Sequence, residues 1–182
     1  KINYNVNDVY NPPSFVVENG VLNNQTKWLW SYYQYYKNCK NISKKIIKKN
    51  NSELIISDED FASLTNAQEL KIPNILITDV LETKFTKGIA SFIEKKMNKS
   101  MMNIIKNCDA VIIPENGENV DNIRRIGPIV REINLSREEL RKKFLFNKKT
   151  ILISVGGTNA GLSLIQRSIE SILKLNLDIE II

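Results

Sequence analysis

The feature that most constrains this chain is Thr150-Ile-Leu-Ile-Ser-Val-Gly-Gly-Thr-Asn-Ala-Gly161, running on into Leu162-Ser163-Leu164-Ile165. Ile151 to Val155 is a short, almost wholly apolar run, β-branched at three of its five positions. Such a run reads as a strand inside a parallel sheet. Gly156 and Gly157 end it. Asn159 suits the N-cap of a following helix that sets Leu162, Ile165, Ile169, Ile172 and Leu173 on one face. Strand, glycine-rich turn and helix together offer free backbone N–H groups and a helix N-terminus, which is how a phosphate is held.

Spacing narrows the kind of loop. Gly156 and Gly161 stand five apart, as in a P-loop, but Leu162 occupies the place of the phosphate-gripping lysine. No G-x-G-x-x-G can be read here either. The same spacing also serves a tight βα turn that needs glycine only for close packing, so both readings stay open.

Upstream, strands and helices alternate. A strand is expected at Ile2 to Val6, then an irregular stretch through Pro12-Pro13 and Asn19-Gly20. A long helix from about Gln25 to Lys49 carries Trp28, Trp30, Tyr32, Tyr33, Tyr35 and Tyr36, followed by Lys40, Lys44, Lys45, Lys48 and Lys49. Aromatics interleaved with lysines suit a membrane or nucleic-acid surface, and equally an amphipathic helix with its rings packed on a sheet. Further strands are read at Glu53 to Ser57, Ile75 to Thr78 and Asp109 to Ile113, with Pro114 as a stop. A helix over roughly Lys84 to Asn107 has an apolar stripe of Ile89, Phe92, Ile93, Met97, Met101, Ile104 and Ile105, which is expected in the core. Ser136-Arg-Glu-Glu139 has capping-box spacing for a short helix to about Phe146. This rhythm is that of an α/β fold with parallel sheets.

Asp58-Glu59-Asp60 closes the strand at Glu53 to Ser57. Open α/β sheets place their ligands at the C-terminal ends of the strands, so Asp58 and Glu59 are candidate catalytic residues. Acids also cap helices and favour a first turn, and a helix from Phe61 to Leu70 follows. The net charge of +6 favours anionic partners such as phosphate groups or acidic lipid. Two isolated cysteines, Cys39 and Cys108, make neither a metal site nor a disulfide framework, and no metal is expected. No apolar run is long enough to span a membrane.

The order Glu53-Leu-Ile-Ile-Ser-Asp58, Lys71-Ile-Pro-Asn-Ile75, Asp109-Ala-Val-Ile-Ile-Pro114, Arg125-Ile-Gly-Pro-Ile-Val-Arg131 and Ile151-Leu-Ile-Ser-Val-Gly-Gly-Thr158 resembles GT-B glycosyltransferases. The nearest likeness is to the MurG-like family of N-acetylglucosaminyltransferases, over about residues 50 to 170. The resemblance implies a Rossmann-like N-terminal, acceptor-side domain over 1–130, a linker and short helix over 131–149, and the start of a second Rossmann-like, nucleotide-sugar-binding domain over 150–182. It places Gly156, Gly157, Thr158 and Asn159 beside the diphosphate of a UDP-sugar donor. It implies no cofactor and no nucleic acid, a sugar acceptor that is lipid-linked, and a cytoplasmic location at the inner membrane surface.

The departures from that family are specific. Its first glycine-rich loop is not in the chain, its nucleobase-binding segment and ribose-binding glutamate would fall beyond Ile182, and there is no histidine to act as base. The chain, opening at Lys1 and closing inside a strand-like Ile179 to Ile182, is therefore expected to be a fragment that lacks the first strand of its first domain and is inactive alone. Two other readings remain: a GT-B relative with different chemistry, such as a UDP-sugar epimerase, and a non-catalytic α/β module that binds phosphate or a partner.

Overall fold

The structure, a computed structural model, describes residues 12–14, 16–18, 21–84, 86–155 and 161–182. The expected strand at Ile2 to Val6 and the loop Gly156, Gly157, Thr158 and Asn159 lie outside them. In chain order the elements are β1 (Val17–Glu18), β2 (Val21–Leu22), α1 (Gln25–Asn50), β3 (Ile55–Asp58), α2 (Phe61–Glu69), β4 (Asn74–Ile77), α3 (Ile89–Lys106), β5 (Ala110–Ile113), β6 (Ile123–Arg125), α4 (Arg137–Lys143), β7 (Lys149–Ile151), α5 (Leu162–Lys174) and β8 (Ile179–Ile181). They form a mixed α/β chain that divides into two units, with breaks at Asn24 and after Ile129.

The first unit is built on a parallel four-stranded sheet of order β3-β4-β5-β6. Parallel neighbours require crossovers, which α2 and α3 supply. One sheet face is dry: Leu76, Val111 and Ile113 cluster with Leu64 of α2 and with Met101 and Ile105 of α3. Strand alternation turns Ile56 the other way, where it is 62% exposed. β4 and β5 are tied at their start, where Asn74 N donates to Asp109 Oδ2 at 2.8 Å. The long helix α1 packs on α2 through a buried amide: Asn66 Nδ2 donates to Lys40 O at 2.6 Å and to Ser43 Oγ at 2.8 Å. Glu69 pairs with Lys40 and Lys44 at the rim of that interface.

The second unit holds the two-stranded β1-β2 ladder, antiparallel, and the βαβ unit β7-α5-β8, whose strands pair in parallel with Thr150 opposite Glu180. The expected capping box is present on α4: Ser136 Oγ accepts from Glu139 N at 3.2 Å, and Glu139 Oε2 accepts from Ser136 N at 2.7 Å.

Several boundaries differ from those read in the sequence. The strand expected at Ile151 to Val155 begins at Lys149 and ends at Ile151, with one further backbone contact beyond it, Ile153 N donating to Ile182 O at 2.8 Å. The N-cap position of α5 is Gly161, not Asn159. The helix expected from Lys84 starts at Ile89. Side chains of α3 explain the delay: Asn98 Oδ1 accepts from Thr83 N at 3.1 Å and Glu94 Oε2 from Thr86 N at 3.0 Å, so Thr83 and Thr86 are tied to the side of the helix instead of extending it. The third parallel neighbour, β6, and the β1-β2 pair were not expected as strands.

The apolar cluster sets the stability of the first unit. Leu64→Ala is expected to cost about 2–5 kcal/mol, the range for a buried leucine, whereas Ile56→Ala, on the exposed side, should change stability by about 0.5 kcal/mol or less. Urea titration of the two variants measures both.

Candidate functional site

A cavity of about 260 Å³ opens at the C-terminal end of β3. It is lined by Tyr32, Tyr35, Tyr36 and Cys39 of α1, and by Asp58, Glu59, Asp60, Phe61 and Ala62 where β3 turns into α2. Both sequence-derived candidates, Asp58 and Glu59, therefore reach one cavity. The aromatic wall is not legible in the sequence, where rings interleaved with lysines suit an exposed surface as well as helix packing.

The local fold fixes each acid differently. Asp60 is a cap: its carboxylate accepts from Ala62 N at 3.1 Å and Ser63 N at 3.3 Å. This is the ordinary role of an acid before a helix. Buried Ser57 supports the turn, its Oγ accepting from Asp60 N at 3.0 Å. Between them Glu59 adopts a left-handed φ of 58°, rare for a residue with a side chain. Its N–H donates to Ile77 O at 3.1 Å, and Thr78 Oγ1 donates to Glu59 Oε1 at 3.2 Å. Asp58 makes no hydrogen bond or ion pair with the other described residues.

Electrostatics distinguish Glu59. Desolvation at its carboxyl, and then a hydrogen bond to the Asp79 carboxyl and that group's charge, push Glu59 above the ordinary carboxylate range, against a smaller opposing pull from Thr78. A neighbouring carboxyl and loss of solvent both disfavour negative charge on Glu59. A carboxyl held closer to neutrality exchanges protons more readily near physiological pH.

The aromatic wall stays protonated. Burial, then a hydrogen bond with Cys39, pushes the Tyr35 phenol up to about 12. Burial, then the charge of Asp60, raises Tyr32. Burial also raises Cys39, which is 3% exposed, so its thiol is a poor nucleophile. Tyr32 stacks on Trp28 at 5.2 Å between centroids and meets Tyr35 at 6.1 Å. Tyr36 Oη lies 2.7 Å from Thr65 Oγ1, which itself donates to Phe61 O, so the phenol is the donor. The wall is thus held from two directions.

The aromatic part of α1 is only partly packing. Leu29, Cys39, Ser43 and Ile47 are its buried residues, Tyr32, Tyr35 and Tyr36 are half-buried, and Trp30 is 63% exposed. The stripe of α3 likewise divides. Met101 and Ile105 are in the core, as expected, but Ile89, Phe92 and Ile93 are exposed. No helix among the described residues is long and apolar enough to cross a membrane. Among the same residues no group of three acidic or thiol side chains is placed to hold a metal ion.

At the edge of the candidate donor loop, a Cβ on Gly161 would overlap the Val155 side chain. Close packing therefore accounts for that glycine, whatever the loop binds. No protein-family model matches the chain, and no characterised protein matches it.

Glu59 has a consequence for stability. Its folded carboxyl holds a proton more tightly than in the unfolded chain, where the value is about 4.3. The stabilising contribution is therefore full below that value and lost as pH rises through the raised one. Glu59→Gln should remove this part of the pH dependence. Urea midpoints of both proteins between about pH 4 and pH 7 should diverge, the native protein losing ground as pH rises. A gap independent of pH would refute the carboxyl pairing.

Proposed function

We propose that this chain is the acceptor-side domain of a GT-B-like glycosyltransferase together with the start of its donor-binding domain. The observation that carries the reading is the Glu59 carboxyl, held by Thr78 at the C-terminal edge of a parallel sheet and lining a tyrosine-walled cavity. This is where such sheets present their ligands. In the proposed reaction the acceptor hydroxyl gives its proton to Glu59 and its oxygen bonds to the anomeric carbon of the donor sugar. The bond from that carbon to the diphosphate breaks, and UDP leaves with the electron pair. Asp79 and Thr78 orient Glu59, while Asp58 stands free beside it. The donor diphosphate is assigned to Gly156, Gly157, Thr158 and Asn159 on the sequence alone.

A second observation favours a lipid-linked acceptor and contact with a membrane surface. The first turns of α3 expose Ile89 and Phe92, at 80% and 72%, together with Ile93. Lys95 Nζ lies 5.8 Å from the Phe92 ring centroid, and Lys96 and Lys99 are exposed on the same helix. Apolar side chains ringed by lysines suit the interface of an anionic bilayer.

Three outcomes test the reading in the full-length enzyme. Glu59→Gln should lower kcat by about 10²–10⁴-fold, the contribution of a general base, with donor affinity unchanged. Gly157→Ala should weaken UDP binding by about 1–3 kcal/mol, the scale of a charge-assisted hydrogen bond. Calorimetry with UDP and an assay of UDP-sugar consumption read these. Unaltered turnover in Glu59→Gln removes the base assignment, and unaltered UDP affinity in Gly157→Ala reduces the loop to a packing turn. Flotation with phosphatidylglycerol vesicles should be lost in Phe92→Ser; retention of flotation would move the contact elsewhere.

A further inference from the structure

The charge of the cavity at the end of β3 is opposite to that of the chain. The protein carries a net +6, yet three of the nine residues lining the cavity are acids and none is lysine or arginine. The lysines of α1 nearest to it are engaged elsewhere. Lys40 and Lys44 pair with Glu69, and Lys37 Nζ lies 4.6 Å from the Tyr33 ring centroid. Asp58 is thus a carboxylate without a cation among the described residues, at the mouth of a cavity that offers none. A phosphate placed there would meet three acids and no cationic side chain.

The remaining wall also favours positive charge. Tyr32 and Tyr35 meet at 43° and both line the cavity, and Tyr32 is braced by its stack on Trp28. The negative face of an aromatic ring attracts an ammonium group within about 6 Å. Because Tyr36 spends its proton on Thr65, its oxygen faces other groups as an acceptor. Ring faces, phenol oxygen and carboxylates all complement a cation with N–H donors. Size sets the other limit. About 260 Å³ falls short of the usual ~300–1,000 Å³ of a drug-sized site. That space suits a single sugar ring or a small headgroup.

We infer that this cavity binds a protonated amine carried on a ring or short chain, with Asp58 as its counter-ion and Tyr32 and Tyr35 as its aromatic wall. The inference deepens the glycosyltransferase reading and rests on it: the portion of the acceptor seated here bears an amino group, and any phosphate of the acceptor lies outside the cavity.

Three probes that share one ring separate charge from shape: glucosamine, glucose and glucose 6-phosphate, each titrated into the full chain by calorimetry and by the NMR signals of the tyrosine rings. Glucosamine should bind saturably, glucose at least about tenfold more weakly, and glucose 6-phosphate not at all. Asp58→Asn should weaken glucosamine about tenfold, the loss of one charge-assisted contact, and leave glucose unaffected. Tyr32→Phe should keep glucosamine binding, because the ring face and not the hydroxyl makes the contact. Equal affinity for glucosamine and glucose, binding of glucose 6-phosphate at these tyrosines, or an Asp58→Asn protein with native amine affinity would each overturn the inference. Circular dichroism of Asp58→Asn and Tyr32→Phe establishes that both variants fold. UDP-sugar consumption by the full-length enzyme separates the two readings. Transfer to a neutral acceptor that glucosamine does not compete with sinks the amine site alone. An amine preference without any transfer sinks the transferase alone.

Discussion

The candidate site depends first on the parallel pairing of β3 and β4, with Asp58 opposite Ile77. Parallel strands end on the same edge, so the turn carrying Glu59 meets the turn carrying Thr78 and Asp79, although Thr78 and Glu59 are 19 residues apart. An antiparallel pair of four-residue strands would put those turns at opposite ends, about 13 Å apart at the usual rise per residue. Parallel pairing in turn needs a crossover helix that is buried against the sheet. Leu64 of α2 meets that need by packing on Leu76 and Val111. The apolar core thus determines which two turns meet at the site.

The lysines of α1 contribute more to arrangement than to stability. Their pairs with Glu69 are exposed, and such pairs are worth about 0–1 kcal/mol. They hold positive charge on the α1–α2 rim, away from Asp58 and Glu59. The buried contact beneath them, the Asn66 amide on Lys40 O and Ser43 Oγ, fixes the rotation of α1 over α2. That rotation presents Tyr32, Tyr35 and Tyr36 to the acids. One helix register therefore sets both the wall of the cavity and its sign of charge.

Helix α3 illustrates a limit of amphipathic patterns. Ala90, Glu94, Met101 and Ile105 share one face at helical spacing and are buried, whereas Ile89 and Phe92 lie off that face and are exposed. Periodicity says which residues share a face, but burial needs a partner surface along the whole length of the helix. Here the sheet and α2 cover the C-terminal half, where Met101 and Ile105 join the core. The N-terminal half buries Ala90 and Glu94 instead, and leaves Ile89, Phe92 and Ile93 exposed.

Local pattern was enough for the elements whose signals are local. Ser136 with Glu139 specified a capped helix, apolar runs specified β3, β4 and β5, and Asp58 and Glu59 were legible as acids at a strand end. The brief β6 was not, because Ile123-Arg-Arg125 has no apolar alternation and is a strand only through β5. Nor was the start of α3, which depends on Glu94 and Asn98 reaching back to Thr86 and Thr83. By itself the sequence determined an α/β chain with acids at the C-terminal end of one strand. Only the tertiary structure decided that Glu59 is held by Thr78 and lines a cavity with three tyrosines, because both facts join groups that the chain keeps far apart and the folded sheet and helices bring together.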